Sequence, residues 1–91
     1  MAHTKENSAE LIARVRRIAG QVSAIERGLE RGALCGEILH LVAAVRGAVN
    51  GLIDEIIVDH LDQHVAKSGL DDAERSRASE ELKTVIRRYS K

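Results

Sequence analysis

Residues 38–57 read ILHLVAAVRGAVNGLIDEII, and the reading of this run decides the fold. Taken as the middle of a helix, it is apolar on nearly every face, so it must be covered on most sides. Gly47 and Gly51 stand four residues apart inside it. Glycine weakens a helix unless something approaches its bare backbone closely, so the pair reads as a helix-crossing point.

Working outward, this helix is expected from about Leu34 to Lys67, with Ser68-Gly69 ending it. Upstream, a helix is expected from about Lys5 to Arg31, with Thr4 or Ser8 as N-cap and Gly28 and Gly32 weakening its end. Its apolar residues Leu11, Val15, Ile18, Val22, Ile25 and Leu29 are spaced 4, 3, 4, 3, 4. That is a heptad seam, suited to lengthwise packing on another helix. Downstream, Asp71 and Glu74 have capping-box spacing at the start of a third helix, whose apolar face is Ala78, Leu82, Val85 and Tyr89.

The composition agrees with an all-α fold. Pro, Phe and Trp are absent, and Tyr89 is the only aromatic residue. Ninety-one residues suggest a single domain over residues 1–91, with a core small enough that self-association would help complete it. One cysteine excludes an intrachain disulfide. No signal peptide or bilayer-length apolar run is recognisable, so a cytoplasmic protein with Cys35 reduced is expected and no membrane partner.

Net charge is zero, but its distribution is uneven: residues 1–50 carry seven Lys/Arg against five Asp/Glu, and the remainder seven against nine. Leu11 to Ser23 holds Arg14, Arg16 and Arg17 with no acid. On a helical wheel Arg14, Arg17 and Gln21 form a stripe beside the heptad seam, while Arg16, Arg27 and Arg31 form another on the opposite side. Such a basic face fits either a solvated surface or a polyanion partner.

Residues 58–64 read VDHLDQH, which places His60 and His64 one helical turn apart, where two imidazoles can reach one ion. Cys35 is 25 residues earlier on the same expected helix, roughly 38 Å away along its axis but on nearly the same face. One chain cannot bring these residues to one ion if the helix is continuous. Two antiparallel copies can, giving two symmetric sites around a crossing near residue 48. His3 offers a further ligand: removal of Met1 would leave the Ala2 amine, a backbone nitrogen and the His3 imidazole as a chelating arm. His40 points about 140° away from Cys35 and is given no metal role.

The run RVRRIAGQVSAIERGLERGALCGEILHLVAAVRGAVNGL, followed by His60 and His64, resembles the copper-sensitive-operon repressor and nickel/cobalt-resistance regulator (CsoR/RcnR) family of bacterial DNA-binding metal sensors. The resemblance covers His3 to about His64 and weakens over the third helix. It implies a three-helix protomer, an antiparallel four-helix-bundle dimer and a disc-shaped homotetramer without a helix-turn-helix. It also implies a repressor that binds operator double-stranded DNA and is released by its ligand. Its nickel/cobalt branch has the ligand order His, Cys, His, His, matched here by His3, Cys35, His60 and His64, with the Ala2 amine in the arm. Arg14, Arg16, Arg17 and Gln21 match the family's DNA-contacting segment, with Lys5 adding to the field.

Donor chemistry points the same way. Three imidazoles, an amine and a single thiolate suit Ni(II), Co(II) or Zn(II) better than Cu(I), and coordination number would separate zinc from the other two. Formaldehyde-sensing members of the same family are the alternative. Their chemistry resembles crosslinking of a cysteine to an N-terminal proline amine, where this chain has Ala2, and His64 would be superfluous to it. A small metal-binding chaperone is a further alternative. Catalysis through a Cys35 nucleophile and His60 base lacks any recognisable orienting acid or oxyanion device, so no enzyme and no small-molecule substrate are expected.

Overall fold

The computed structural model describes residues 8–89, which form three helices and no strand: α1 (Ser8–Glu30), α2 (Cys35–His64) and α3 (Asp72–Tyr89). These are the expected elements. The second helix is slightly shorter than the expected Leu34 to Lys67, its end followed by a turn in which Val65 and Ala66 N–H both donate to Leu61 O. The described residues divide into two compact units, one of Ala9–Ile53 and the other of Ser8 with the segment from Asp54 onward.

In the first unit α1 and the first part of α2 form an antiparallel hairpin. Its turn is a Schellman motif: Gly32 adopts φ +71°, Ala33 N–H donates to Gly28 O at 2.9 Å, and Gly32 N–H donates to Leu29 O at 3.2 Å. Gly28 is buried, and a Cβ there would lie 2.8 Å from Ile38 Cδ1, so this glycine is where α1 and α2 approach most tightly. By contrast Gly47 has open space where its side chain would be. The close approach within the chain therefore falls on Gly28, which the sequence pattern had marked only as a weak helix end.

The heptad on α1 is present, but the flank that meets α2 differs from the seam drawn from apolar residues alone. The covered positions are Leu11, Arg14, Ile18, Gln21, Ile25 and Gly28. Val15, Val22 and Leu29 stay exposed, as does Ile12. On α2 the matching inward row is Ile38, Leu41, Val45, Ala48 and Leu52, while Leu39, Val42 and Val49 are exposed. Each helix of the hairpin thus carries a second apolar stripe that stays exposed among the described residues.

In the second unit the end of α2 runs beside α3. The capping box is formed: Glu74 N–H donates to Asp71 Oδ1 at 2.7 Å and Asp71 N–H to Glu74 Oε2 at 3.4 Å. Arg75 closes the other side of the turn, its Nε donating to Val65 O at 2.8 Å and its Nη2 to Lys67 O at 3.2 Å. Carbonyls past the end of a helix lack intrahelical donors, and a guanidinium there also meets the negative end of the helix dipole. Ala78 is buried, Leu82 and Val85 are half-buried, and Tyr89 is exposed with the Arg88 guanidinium 6.0 Å from its ring centroid.

Candidate metal site and nucleic-acid interface

His60 and His64 lie on the last two turns of α2 with ring centroids 5.3 Å apart and planes tilted by 51°. The one-turn spacing read from the sequence therefore brings the rings together. His60 is largely buried, and its Nε2 lies 2.8 Å from Ala78 O on α3. A carbonyl can only accept, so Nε2 carries the proton and Nδ1 is left as the ring's lone-pair donor. Glu81 Oε2 stands 3.9 Å from the same Nε2. A histidine whose one nitrogen is held by a carbonyl presents the other in a fixed direction, the arrangement metal-ligating histidines use.

Cys35 is a free, exposed thiol and the first residue of α2. Since α2 is one uninterrupted helix of 30 residues, Cys35 and His60 stand near its opposite ends. Among the described residues no three His, Cys, Asp or Glu side chains come together as a metal-binding group. Ala2, His3 and Lys5 lie outside the described residues. His40 is exposed.

Two features of this region escaped the sequence reading. Asp59, immediately before His60, is only 2 % exposed, the most buried side chain among the described residues, whereas Asp62 is exposed. Nothing in VDHLDQH distinguishes the two acids. The partner of His60 is a backbone carbonyl, which no residue type signals; only the small Ala78 on the apolar face of α3 hints at a close approach.

The basic face of α1 separates into two kinds of residue. Arg16 and Arg17 are exposed, whereas Arg14 and Gln21 are half-buried in the α1–α2 seam. Arg14, Arg17, Ile18, Gln21 and Ala48 line one small cleft, and Gln21 Oε1 is buried there with no hydrogen-bond partner among the described residues.

Residues 7–88 match the family described as metal-sensitive transcriptional repressor. The chain belongs to that family. It is 38% identical to the transcriptional repressor RcnR of Salmonella arizonae over 91 residues, covering all of both chains. It is 45% identical, again over both whole chains, to an uncharacterized protein in the bioA 5' region of Serratia marcescens. Among solved structures, it is similar to a glutamate-to-histidine variant of the formaldehyde-responsive regulator FrmR from Salmonella enterica serovar Typhimurium. That likeness has TM-score 0.87 and 41% identity, covering 97% of this chain and 99% of the other. The three-helix fold is therefore that of these repressors, and the family consists of transcriptional regulators rather than enzymes. Among the described residues no helix is long and apolar enough to cross a membrane.

Proposed function

We propose that the chain is a nickel- or cobalt-responsive repressor that acts in the cytoplasm, binds operator double-stranded DNA without metal and releases it when metal binds, derepressing efflux or resistance genes. All of residues 1–91 act as one sensing and DNA-binding domain. The observation that carries the reading is the His60 side chain, fixed through Nε2 to Ala78 O, with the His64 ring one turn away, on the same uninterrupted helix that begins with Cys35. The donor set fits the metal-sensitive family: Cys35 from one copy, with His60 and His64 from a second, and His3 with the Ala2 amine as further donors. A bound ion would supply a bond between ligands of two chains. The uncovered stripes of Ile12, Val15, Val22 and Leu29, and of Leu39, Val42 and Val49, support pairing of two hairpins into a homodimer and of dimers into a homotetramer.

On the DNA side, exposed Arg16 and Arg17, seam-bound Arg14 and Gln21, and Lys5 supply the contacts, with phosphates the main target of the arginines. His3 leads directly into α1 in sequence, so ligation of the arm and the position of the α1 arginines are mechanically linked. Free energy available for release is the metal's differential affinity for the two states, typically ~1–3 kcal/mol per site.

The likeness to a formaldehyde-responsive regulator favours a second reading, in which the exposed Cys35 thiol and the Ala2 amine condense with an aldehyde to a methylene bridge and water. One experiment separates the two. Reduced apo-protein is titrated with Co(II), Ni(II), Zn(II) and formaldehyde, followed by absorption spectroscopy, mass spectrometry and binding to a duplex from upstream of its gene. Thiolate-to-Co(II) charge transfer with loss of DNA binding supports the metal reading. A covalent adduct that alone releases DNA replaces it with the aldehyde. Failure of the apo-protein to bind the duplex would instead favour a metal chaperone, and tetrahedral Zn(II) as the only releasing ion would move the effector to zinc.

A further inference from the structure

Gly51 and Arg14 meet across the α1–α2 hairpin. Both are half-buried, and a Cβ built on Gly51 would lie 3.3 Å from Arg14 Nη1, closer than an ordinary van der Waals contact. Among the described residues no other side chain comes within 4 Å of that position, and Gly47, one turn earlier on α2, has open space. Four residues before Gly51, then, the helix tolerates a side chain; at Gly51 the bare backbone is the floor beneath a guanidinium.

Glycine in a helix interior lowers its stability relative to alanine, so its presence at residue 51 calls for a compensating role. The packing of the hairpin does not supply one. The tightest glycine of the hairpin is Gly28, where a Cβ would press on the packed Ile38 Cδ1 at 2.8 Å, whereas the atom above Gly51 is the far end of a long, flexible side chain. A methyl group there would displace Arg14 Nη1 without forcing the backbones apart. Arg14 also lines the cleft with Arg17, Ile18, Gln21 and Ala48, so the seat holds one arginine of the basic helix at a set height beside a second, exposed one.

We infer that Gly51 is a positioning residue for DNA binding: it provides the seat that aims the Arg14 guanidinium, although it lies on α2 and touches no DNA. The inference rests on the proposal above that Arg14 contacts operator phosphate. A planar guanidinium can lie against a bare stretch of backbone in a way that a compact ammonium cannot reproduce.

The test uses the full chain and four variants, Gly51→Ala, Arg14→Ala, Arg14→Lys and Gly51→Ala combined with Arg14→Lys, on the duplex that the wild type binds. Gly51→Ala should unfold at the same or higher temperature than wild type and keep its sedimentation coefficient and Co(II) spectrum. Its DNA affinity should fall, and the slope of log affinity against log salt should decrease by up to about 1, as for loss of one phosphate contact. In the Arg14→Lys background the same glycine replacement should cause no further loss, because the atom that occupied the seat is gone. A structural role for Gly51 would lower the unfolding temperature and persist in that background. If Arg14→Ala weakens DNA binding while Gly51→Ala leaves both affinity and salt slope at wild-type values, the seat is refuted and the DNA face stands. If Arg14→Ala itself changes nothing, the DNA face and the seat fall together.

Discussion

His60 Nε2 donates to the carbonyl oxygen of Ala78 at 2.8 Å, so the side chain proposed to bind metal also fastens the end of α2 to α3. In the proposed site its two nitrogens would have separate tasks. Removing the ring should therefore be felt before any metal is added. His60→Ala should destabilise the metal-free protein by about 1–2 kcal/mol in urea unfolding, through the lost hydrogen bond and the vacated, largely buried space. Glu81→Gln should leave that stability unchanged, since Glu81 stands 3.9 Å from the ring nitrogen and is half exposed.

A site shared between chains has a genetic signature. Subunits carrying Cys35→Ala are mixed with subunits carrying His60→Ala and His64→Ala together. In the heterodimer one site loses all three ligands and the other keeps all three, so a thiolate-to-Co(II) band should reappear. Verified heterodimers without the band would show that Cys35 does not meet the histidines of another copy.

The uncovered apolar stripes make assembly testable by charge. Burying a Val or Leu side chain contributes about 1.5–3 kcal/mol, and a glutamate in its place adds the cost of an unpaired charge. Val22→Glu or Val42→Glu should shift the protein from tetramer or dimer toward monomer in sedimentation at micromolar concentration, whereas Glu26→Lys on the exposed side should not. A wild type that is a well-folded monomer under those conditions would remove the basis for the shared site.

Arg75 should prove to be the main tie of the α2–α3 turn. Arg75→Ala leaves Val65 O and Lys67 O without their donor and should cost about 1–2 kcal/mol, and Arg75→Lys should recover little because one ammonium cannot span both carbonyls as the guanidinium does. Asp71→Ala, which removes the cap on Glu74 N–H, should cost about 0.5–2 kcal/mol. Thermal unfolding of the apo-protein reads both.

Exposed Arg17 gives the simplest test of the DNA face. Arg17→Ala should weaken operator binding, reduce its salt slope by about 1 and leave Co(II) affinity unchanged, as expected for a phosphate contact. Equal binding at moderate salt would move the interface away from this side of α1.

Much of this molecule is written locally. Capping by Asp71 and Glu74, the left-handed Gly32 that ends the α1 turn and the one-turn spacing of His60 and His64 each depend on residues within about one helical turn. Such relations hold wherever the segment is placed, so the sequence alone determined them, together with the three helices and the family. The flank of α1 that faces α2 is different. Leu11, Ile18 and Ile25 belong to both available seams, one continued by Arg14, Gln21 and Gly28, the other by Val15, Val22 and Leu29. Periodicity and hydrophobicity favour the second; the hairpin uses the first. Two neighbouring stripes on one helix are only about 100° apart, and a single partner helix covers one of them. Tertiary packing made the choice, with bare Gly28 against Ile38 and Gly51 beneath Arg14 allowing a partly polar flank to turn inward and leaving the more apolar one for another surface. For the same reason only tertiary structure revealed the Ala78 carbonyl as the partner of His60, since a backbone acceptor on another helix leaves no mark in residue type.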